Sequence, residues 1–301
     1  MKKKIFITGG AGLLGSNLAI LLNEKYDVLT SKHNQSPNIK KIVSEKVNLV
    51  SSSEIHNFFL KNKPDIVINT AGLTNVNLCE EIPSQAKVQN VNIAKNIANA
   101  SIEHGAKLIH ISSTSVYGKQ AKIVDENCEK KYLKPQSPYA KIKLIEENML
   151  KKEGKNLKYV TFRLGTIAGV SRGIRFHTAV NKFCFNAALS QKIEVYKTAL
   201  HQYRPYLSVR DAFKVFKFCI DKNFFKNDIF NAVSGNFTVN QILSKIKKRK
   251  KFIKVKFVNS RIMNQLSYHV DDKKIRSYGL KLNANLQKDI DNTLKLFSYL
   301  K

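Results

Sequence analysis

Lys4-Ile-Phe-Ile-Thr8-Gly9-Gly10-Ala11-Gly12-Leu13-Leu14-Gly15 decides the fold. The apolar run reads as a short buried parallel strand, and the stretch from Leu13 reads as a helix near 13–24. Between them Gly9, Gly12 and Gly15 have the GxxGxxG spacing. Gly9 allows the tight turn, Gly12 lets backbone approach a pyrophosphate, and Gly15 lets helix and strand pack closely. The first helical turn, with Leu13 and Leu14, then points its backbone N–H groups at the phosphates. A glycine-rich turn alone is weak evidence. Strand, turn and helix in one continuous stretch make it a dinucleotide-site signature.

Outward from this stretch, short apolar runs alternate with helical patterns. Strands are expected at Asp27-Val-Leu-Thr30, Asp65-Ile-Val-Ile-Asn69, Lys107-Leu-Ile-His-Ile-Ser112 and Tyr159-Val-Thr-Phe-Arg163, with helices near 52–61, 84–103 and 138–152. Such βαβ alternation predicts an α/β fold, a doubly wound parallel Rossmann sheet. After Gly165 the alternation loosens, as in a smaller C-terminal α/β lobe. The expected division is a dinucleotide-binding domain over 1–165, with returns near 204–211 and 228–235, and a substrate lobe over 166–301.

Composition excludes several classes. With 301 residues and 43% hydrophobic content, the chain can bury a sizeable core. No apolar run approaches the ~18 residues of a membrane helix. Met1-Lys-Lys-Lys-Ile-Phe-Ile7 mimics a signal peptide, but its apolar run stops at Thr8-Gly9-Gly10 with no cleavage pattern behind it. The cysteines Cys79, Cys128, Cys184 and Cys219 are scattered, with no CxxC or metal-ligand spacing, so a reduced, cytoplasmic protein without metal is expected. The net charge of +30 invites a nucleic-acid reading, most of all at Lys245-Ile-Lys-Lys-Arg-Lys-Lys-Phe-Ile-Lys-Val-Lys256. Lys outnumbers Arg by 44 to 8, however, and a general Lys bias explains the charge without a dedicated nucleic-acid surface. Five of the eight Arg lie between 163 and 210 (Arg163, Arg172, Arg175, Arg204, Arg210), which suggests a polyanionic small substrate.

The cofactor site extends beyond the glycines. An NAD-selective site wants an acidic residue at the end of the second strand. Here that strand runs into Ser31, Lys32 and His33. Lys32 could pair with a 2′-phosphate, which favours NADP; read as an exposed loop lysine, it leaves NAD open. Asn48-Leu49 falls where a polar–apolar pair holds adenine, and Asn69-Thr-Ala71-Gly72 ends a strand beside the expected pyrophosphate.

Pro135-Gln-Ser-Pro-Tyr139-Ala-Lys-Ile-Lys143 supplies the chemistry. Ser137 can act as N-cap and Pro138 as first helical residue, so Tyr139 and Lys143 at i and i+4 share a face. An ammonium beside a phenol lowers its pKa from the ordinary ~10 and makes a proton-transfer pair. Ile111-Ser-Ser113-Thr114-Ser-Val-Tyr117-Gly118 adds hydroxyls at the carboxyl edge of the sheet.

With these motifs the chain resembles the extended short-chain dehydrogenase/reductases, in particular the NAD-dependent epimerase/dehydratase family. TGGAGLLG at Thr8–Gly15, Asn90, SSTSVYG at Ser112–Gly118, PQSPYAKIK at Pro135–Lys143 and RPYLSVRD at Arg204–Asp211 carry the resemblance. It implies that Ser113 bonds the substrate oxygen, Tyr139 exchanges the proton, and Lys143 holds the nicotinamide ribose. It gives Asn90 to the cofactor side and Arg204 to a nucleotide-sugar diphosphate, with Thr114, Thr166 and Arg175 as further substrate candidates; a packing or salt-bridge role is the other reading of Arg175. Tyr117 is expected to be structural, and Asp211 to organise its loop. Two departures narrow the chemistry. Sugar 4,6-dehydratases carry Asp-Glu after the catalytic Ser/Thr, where this chain has Thr114 and Ser115; Thr166 stands where many relatives have Asn. The implied activity is an NAD(P)-dependent epimerase or 4-keto reductase acting on a nucleotide-activated sugar, with a homodimer built from the helices near 84–103 and 138–152. The alternative is a non-catalytic dinucleotide-sensing or RNA-associated protein on the same fold. Arg261-Ile-Met-Asn-Gln-Leu-Ser-Tyr268 has no mechanism assignable from spacing.

Overall fold

The computed structural model describes residues 2–32, 39, 41–120, 123–259, 268–283 and 285–300. His33 and residues 261–267 of the unassigned stretch lie outside them. In chain order the elements are β1 (Lys4–Thr8), α1 (Leu13–Leu22), β2 (Asp27–Lys32), β3 (Val43–Lys46), α2 (Ser52–Asn62), β4 (Ile66–Asn69), α3 (Val76–Glu81), α4 (Pro83–Glu103), β5 (Lys107–Ser113), α5 (Pro138–Glu153), β6 (Tyr159–Leu164), β7 (Thr166–Ala168), α6 (Ala179–Ala188), β8 (Lys192–Tyr196), β9 (Tyr203–Ser208), α7 (Val209–Asp221), β10 (Ile229–Ala232), β11 (Gly235–Thr238), α8 (Val239–Lys247), β12 (Lys254–Val258), α9 (Lys273–Ser277) and α10 (Leu286–Phe297).

Seven strands form one sheet in the order β10-β6-β5-β4-β1-β2-β3, and every neighbouring pair is parallel. The period of two along β1 sorts its side chains. Ile5 and Ile7 enter one core with Leu18, Leu22 and Phe216, while Phe6 enters the other with Phe59, Ile97 and Leu150. Helices therefore cover both faces, and each fully buried Ile, Leu or Phe contributes ~1.5–3 kcal/mol. Chain progression reverses between β1 and β4, so their carboxyl ends open the crevice in which doubly wound sheets hold ligands.

The second half builds a three-stranded sheet, β11-β9-β7, and a parallel pair, β12 with β8. Val180, Cys184, Ile193, Tyr206, Ile242 and Ile290 form its core. The 228–235 segment sends β10 back to the large sheet beside β6. Over 204–211 the chain changes layer. β9 pairs with β7 and β11, and α7, which follows at once, puts Val215 and Phe216 into the core under the large sheet. No helix among the described residues is long and apolar enough to cross a membrane.

Candidate active site

At the end of β1, Gly9 takes φ +68°, and the Gly12 N–H donates to its carbonyl at 2.9 Å. A Cβ on Gly15 would meet the Gly9 oxygen at 2.4 Å, so the close approach of helix to strand requires glycine. Gly12 caps α1 without a side-chain bond, and no acidic residue stands in the first turn. Helix-start N–H groups at Leu13, Leu14 and Gly15 have no intrahelical acceptor to use. Buried donors at a helix start with no carboxylate nearby fit the pyrophosphate of a dinucleotide. Thr8 ties the turn to the next strand. Its hydroxyl donates to Asn69 Oδ1 at 2.8 Å and accepts from Ala71 N at 2.9 Å.

The loop after β4 is clamped from behind. Gly72 lies at φ +147°, with Asn90 Oδ1 3.2 Å from a Cβ built there. Both polar atoms of Asn90 engage the Leu73 backbone, at 2.7 and 2.9 Å. Asn90 thus shapes the loop that a cofactor would meet. At the end of β2, Ser31 is buried and its hydroxyl accepts the Gly9 N–H at 3.0 Å. Lys32 follows as the partly exposed last residue of the strand. Asn48 is exposed and turns its side-chain oxygen to Val50 N at 3.1 Å; Leu49 is buried against Phe58 and Val47.

Ser137 caps α5 by accepting the Ala140 N–H at 3.2 Å, with Pro138 in the first helical position. This sets Tyr139 half-buried and Lys143 buried on one face, the ammonium 5.8 Å from the centre of the phenol ring. Ser113 ends β5; its oxygen accepts from Ser115 N at 3.2 Å and the Ser115 hydroxyl at 2.9 Å. Among the described residues its own proton has no acceptor. Burial pushes the Tyr139 phenol above its ordinary value, and the Lys143 charge, which pulls it down, does not outweigh that. The expected lowering therefore describes the lysine's influence, while the net direction is upward. Lys143 itself is held above its ordinary value: burial works against the charge, and Glu146, with smaller help from Tyr139 and Glu147, more than restores it.

Two carboxylates missing from the sequence reading stand behind this pair. Glu146 Oε2 lies 2.8 Å from Lys143 Nζ and 3.1 Å from His110 Nε2. Glu147 accepts both Arg163 Nε at 2.9 Å and Nη2 at 2.7 Å, and the Ser112 hydroxyl at 2.5 Å. The signal was present: Glu146 and Glu147 stand three and four residues after Lys143, on its helix face. Tyr117 is fully buried, donates to Asn231 Oδ1 at 2.9 Å and lies under the Arg163 guanidinium. Asp211 accepts from Lys214 at 2.9 Å and Ser234 at 2.8 Å, tying α7 to the loop after β10.

The substrate candidates divide. Thr114 is buried and donates to Leu164 O at 3.3 Å, and Thr166 begins β7 against Tyr206 of β9. Arg204 on β9 meets the buried phenol of Tyr268, which also contacts Thr114. Tyr268, left without a role by its sequence, thereby joins Arg204 and Thr114. Arg175 is placed elsewhere. Its guanidinium donates to Thr74 and lies 3.4 Å from a Cβ built on Gly12, beside the glycine turn. The same segment crosses the turn through Gly173, whose added Cβ would meet Ala11 O at 2.5 Å, and through Ser171, which donates to Leu13 O at 2.7 Å. His56, Glu103 and His104 bring donor atoms within 4.8 Å of one another. They sit at the amino edge of the sheet, and His56 and Glu103 form a largely exposed pair.

A family model described as the NAD dependent epimerase/dehydratase family matches residues 5–232. The chain belongs to this family. Among curated relatives, the dTDP-D-glucose 4,6-dehydratase of Dictyostelium discoideum is 29% identical over 186 residues, 52% of this chain and 41% of that protein. The chain thus spans less than half the length of this relative. Among solved structures, the Thermotoga maritima UDP-glucose 4-epimerase with UDP-glucose aligns at TM-score 0.88 and 21% identity over 99% of both chains. The Thermus thermophilus UDP-glucose 4-epimerase with NAD aligns at TM-score 0.85 and 20% identity over 98% of both. At such identities the likeness establishes the shared fold of these epimerase/dehydratase family enzymes.

Proposed function

We propose that this epimerase/dehydratase family member moves a hydride between a nicotinamide cofactor and a secondary alcohol or ketone of a nucleotide-activated sugar, as an epimerase or a 4-keto reductase. The observation that carries the reading is the buried Lys143 ammonium beside the Tyr139 phenol, at the sheet edge that also presents Ser113 and the glycine turn. A bound NAD(P) would supply the hydride acceptor or donor, held by the α1 N-terminus, Ala71, Gly72 and Lys143. Ser113 has a hydroxyl proton to give a carbonyl or hydroxyl oxygen of the sugar. As phenolate Tyr139 takes the proton of that hydroxyl during oxidation, as phenol it returns it during reduction, and the Lys143 charge stabilises the phenolate that begins the first step and ends the second. Ser113 would fix the oxygen in line with the phenol, which supplies the orientation that proton transfer requires.

Arg204 and Tyr268 support a sugar diphosphate on the lobe side, so that the cofactor rests on 1–165 and the sugar on 166–301. Arg175, beside the glycine turn, suits a phosphate better than a sugar ring. Thr114 and Ser115 offer no carboxyl group for dehydration. Lys32 favours NADP, against the NAD of the solved relatives. A homodimer through α4 and α5 is part of the reading, since these adjacent helices leave Val88 and Ile145 exposed; light scattering of the purified protein tests it. The same reading places the protein in the cytoplasm.

Purified protein supplied with NADPH and a 4-keto-6-deoxy nucleotide sugar, followed at the nicotinamide absorbance, tests the reductase. Consumption of NADPH supports it. Retained NAD with interconversion of sugar epimers and no net NADPH use supports the epimerase. No turnover with either, together with steeply salt-dependent RNA binding through 245–256, returns the non-catalytic alternative.

A further inference from the structure

Glu146 is a buried carboxylate in direct contact with a buried lysine, and the reaction described above does not use it. Its side chain is 2% exposed and that of Lys143 7%. One oxygen, Oε2, accepts from Lys143 Nζ at 2.8 Å and lies 3.1 Å from His110 Nε2. His110 is itself buried on β5, and neither of its ring nitrogens makes a well-aligned hydrogen bond among the described residues, although Nε2 stands within ion-pair distance of Glu146. With the imidazole neutral, the arrangement carries one negative charge for one ammonium.

We propose that Glu146, braced by His110, is a positioning residue: the counter-ion that pins the Lys143 ammonium and keeps the Tyr139–Lys143 pair fully protonated until a ligand is bound. The inference deepens the reading above, because it takes Tyr139–Lys143 as the proton-transfer pair. Other groups around the pair do not replace Glu146. Glu147, on the same helix, is neutralised by the Arg163 fork. Cys79 of α3 faces Lys143 as a thiol whose pKa burial pushes up. Arg175, from the segment after β7, adds positive charge towards Tyr139. Glu146 is thus the carboxylate in contact with the lysine and not engaged by another cation.

Two coupled groups lose their first proton as a pair. Removing the Glu146 charge eases that loss whichever member gives it up: a phenolate forms beside an unopposed ammonium, or an unpaired buried ammonium becomes an amine. Glu146 therefore trades acidity of the phenol for a fixed lysine, and ligand contacts made by Lys143 would release that hold at the time of reaction.

The test needs no sugar. Phenolate absorbance is titrated in Glu146→Gln and in the parent protein, each against its Tyr139→Phe counterpart, and NAD affinity is measured by calorimetry across the same pH range. In Glu146→Gln the phenolate midpoint, or the pH above which NAD affinity falls, is expected about one pH unit or more lower. His110→Gln, which keeps a neutral donor, is expected to stay near the parent. If Glu146→Gln does not fold, Glu146→Asp draws the carboxylate back and is expected to move the same midpoint less far. Superimposable titrations and NAD profiles for a folded Gln or Asp variant would overturn the proposal. A shifted titration in a protein that turns over no nucleotide sugar would keep it and sink the enzymatic reading instead.

Discussion

Glu146 and Glu147 leave the same turn of α5, both buried, and each holds a cation. Glu147 receives the planar Arg163 fork through both oxygens, and Arg163 lies over the Tyr117 ring at 4.8 Å. That pair braces α5 against β5 and β6. Glu146 receives a point charge through one oxygen, and an ammonium has three protons to give. Arg163 is largely spent on the frame; Lys143 keeps donors that a ligand can use. Burial does not separate a structural ion pair from a functional one. The donors left over, and the surface they face, do.

Four measurements can break or sharpen that contrast. The largest effect belongs to the site side. Tyr139→Phe should cut turnover by ~10²–10⁴-fold, with NAD affinity and the urea midpoint close to the parent's; an equally active variant would end the acid–base assignment. On the frame side, Arg163→Met leaves Glu147 buried and uncompensated, and urea denaturation should show a loss of ~3–5 kcal/mol. A loss below ~1 kcal/mol would mean that the brace is no brace. Gly15→Ala touches neither pair, yet its Cβ would meet the Gly9 oxygen at 2.4 Å. It should cost ~1–3 kcal/mol and weaken NAD binding in calorimetry, while Lys143 and Arg163 stay in place.

The smallest effect is in the pH dependence of stability. Tyr139 is raised by burial, and Lys143 is raised because Glu146, together with Tyr139 and Glu147, outweighs burial. Their contributions are complete below the unfolded values near ~10 and are lost as pH rises through the folded ones. Glu146 is depressed, since Lys143 and His110 outweigh the burial that would raise it. Its contribution is present above the ordinary carboxylate value and disappears as pH falls through the folded one. Thermal melts from pH 5 to 11 should therefore decline above about pH 10 on account of the Lys143 side. Arg163, whose charge Glu147 holds against burial, should add nothing to that decline. An alkaline decline that vanishes in Arg163→Met would invert the comparison.

How much of this was legible follows from how local each signal is. The first strand, the glycine turn, and the α2, α4 and α5 spans stand where the sequence pattern puts them, because capping residues and buried runs act over a few positions. β3 escaped because Val43-Ser-Glu-Lys46 is an edge strand without an apolar alternation. In the C-terminal lobe a local signal did exist, since Thr238 and Gln241 form a capping box before α8. Its strands are short, and their pairing joins residues far apart in the chain. Spacing could offer Arg175 as a substrate candidate or a packing residue but could not show that its segment returns to Thr74 and the glycine turn. Glu146 was missed for a different reason: its meaning depends on His110, which arrives from another strand.

The arrival of β10 beside β6 has a consequence for how the chain matures. A ribosome releases β6 well before Ile229–Ala232, so the edge of the growing sheet waits, unpaired, while all of 165–228 is made. Open edges of parallel sheets close slowly, because their partners come from distant sequence, and meanwhile they invite pairing with other chains. Phe162 and Phe230 meet across that late seam, with ring centres 6.2 Å apart. Truncation before residue 229 should therefore leave a sticky, chaperone-dependent fragment, even though its glycine turn, Tyr139 and Lys143 are all present.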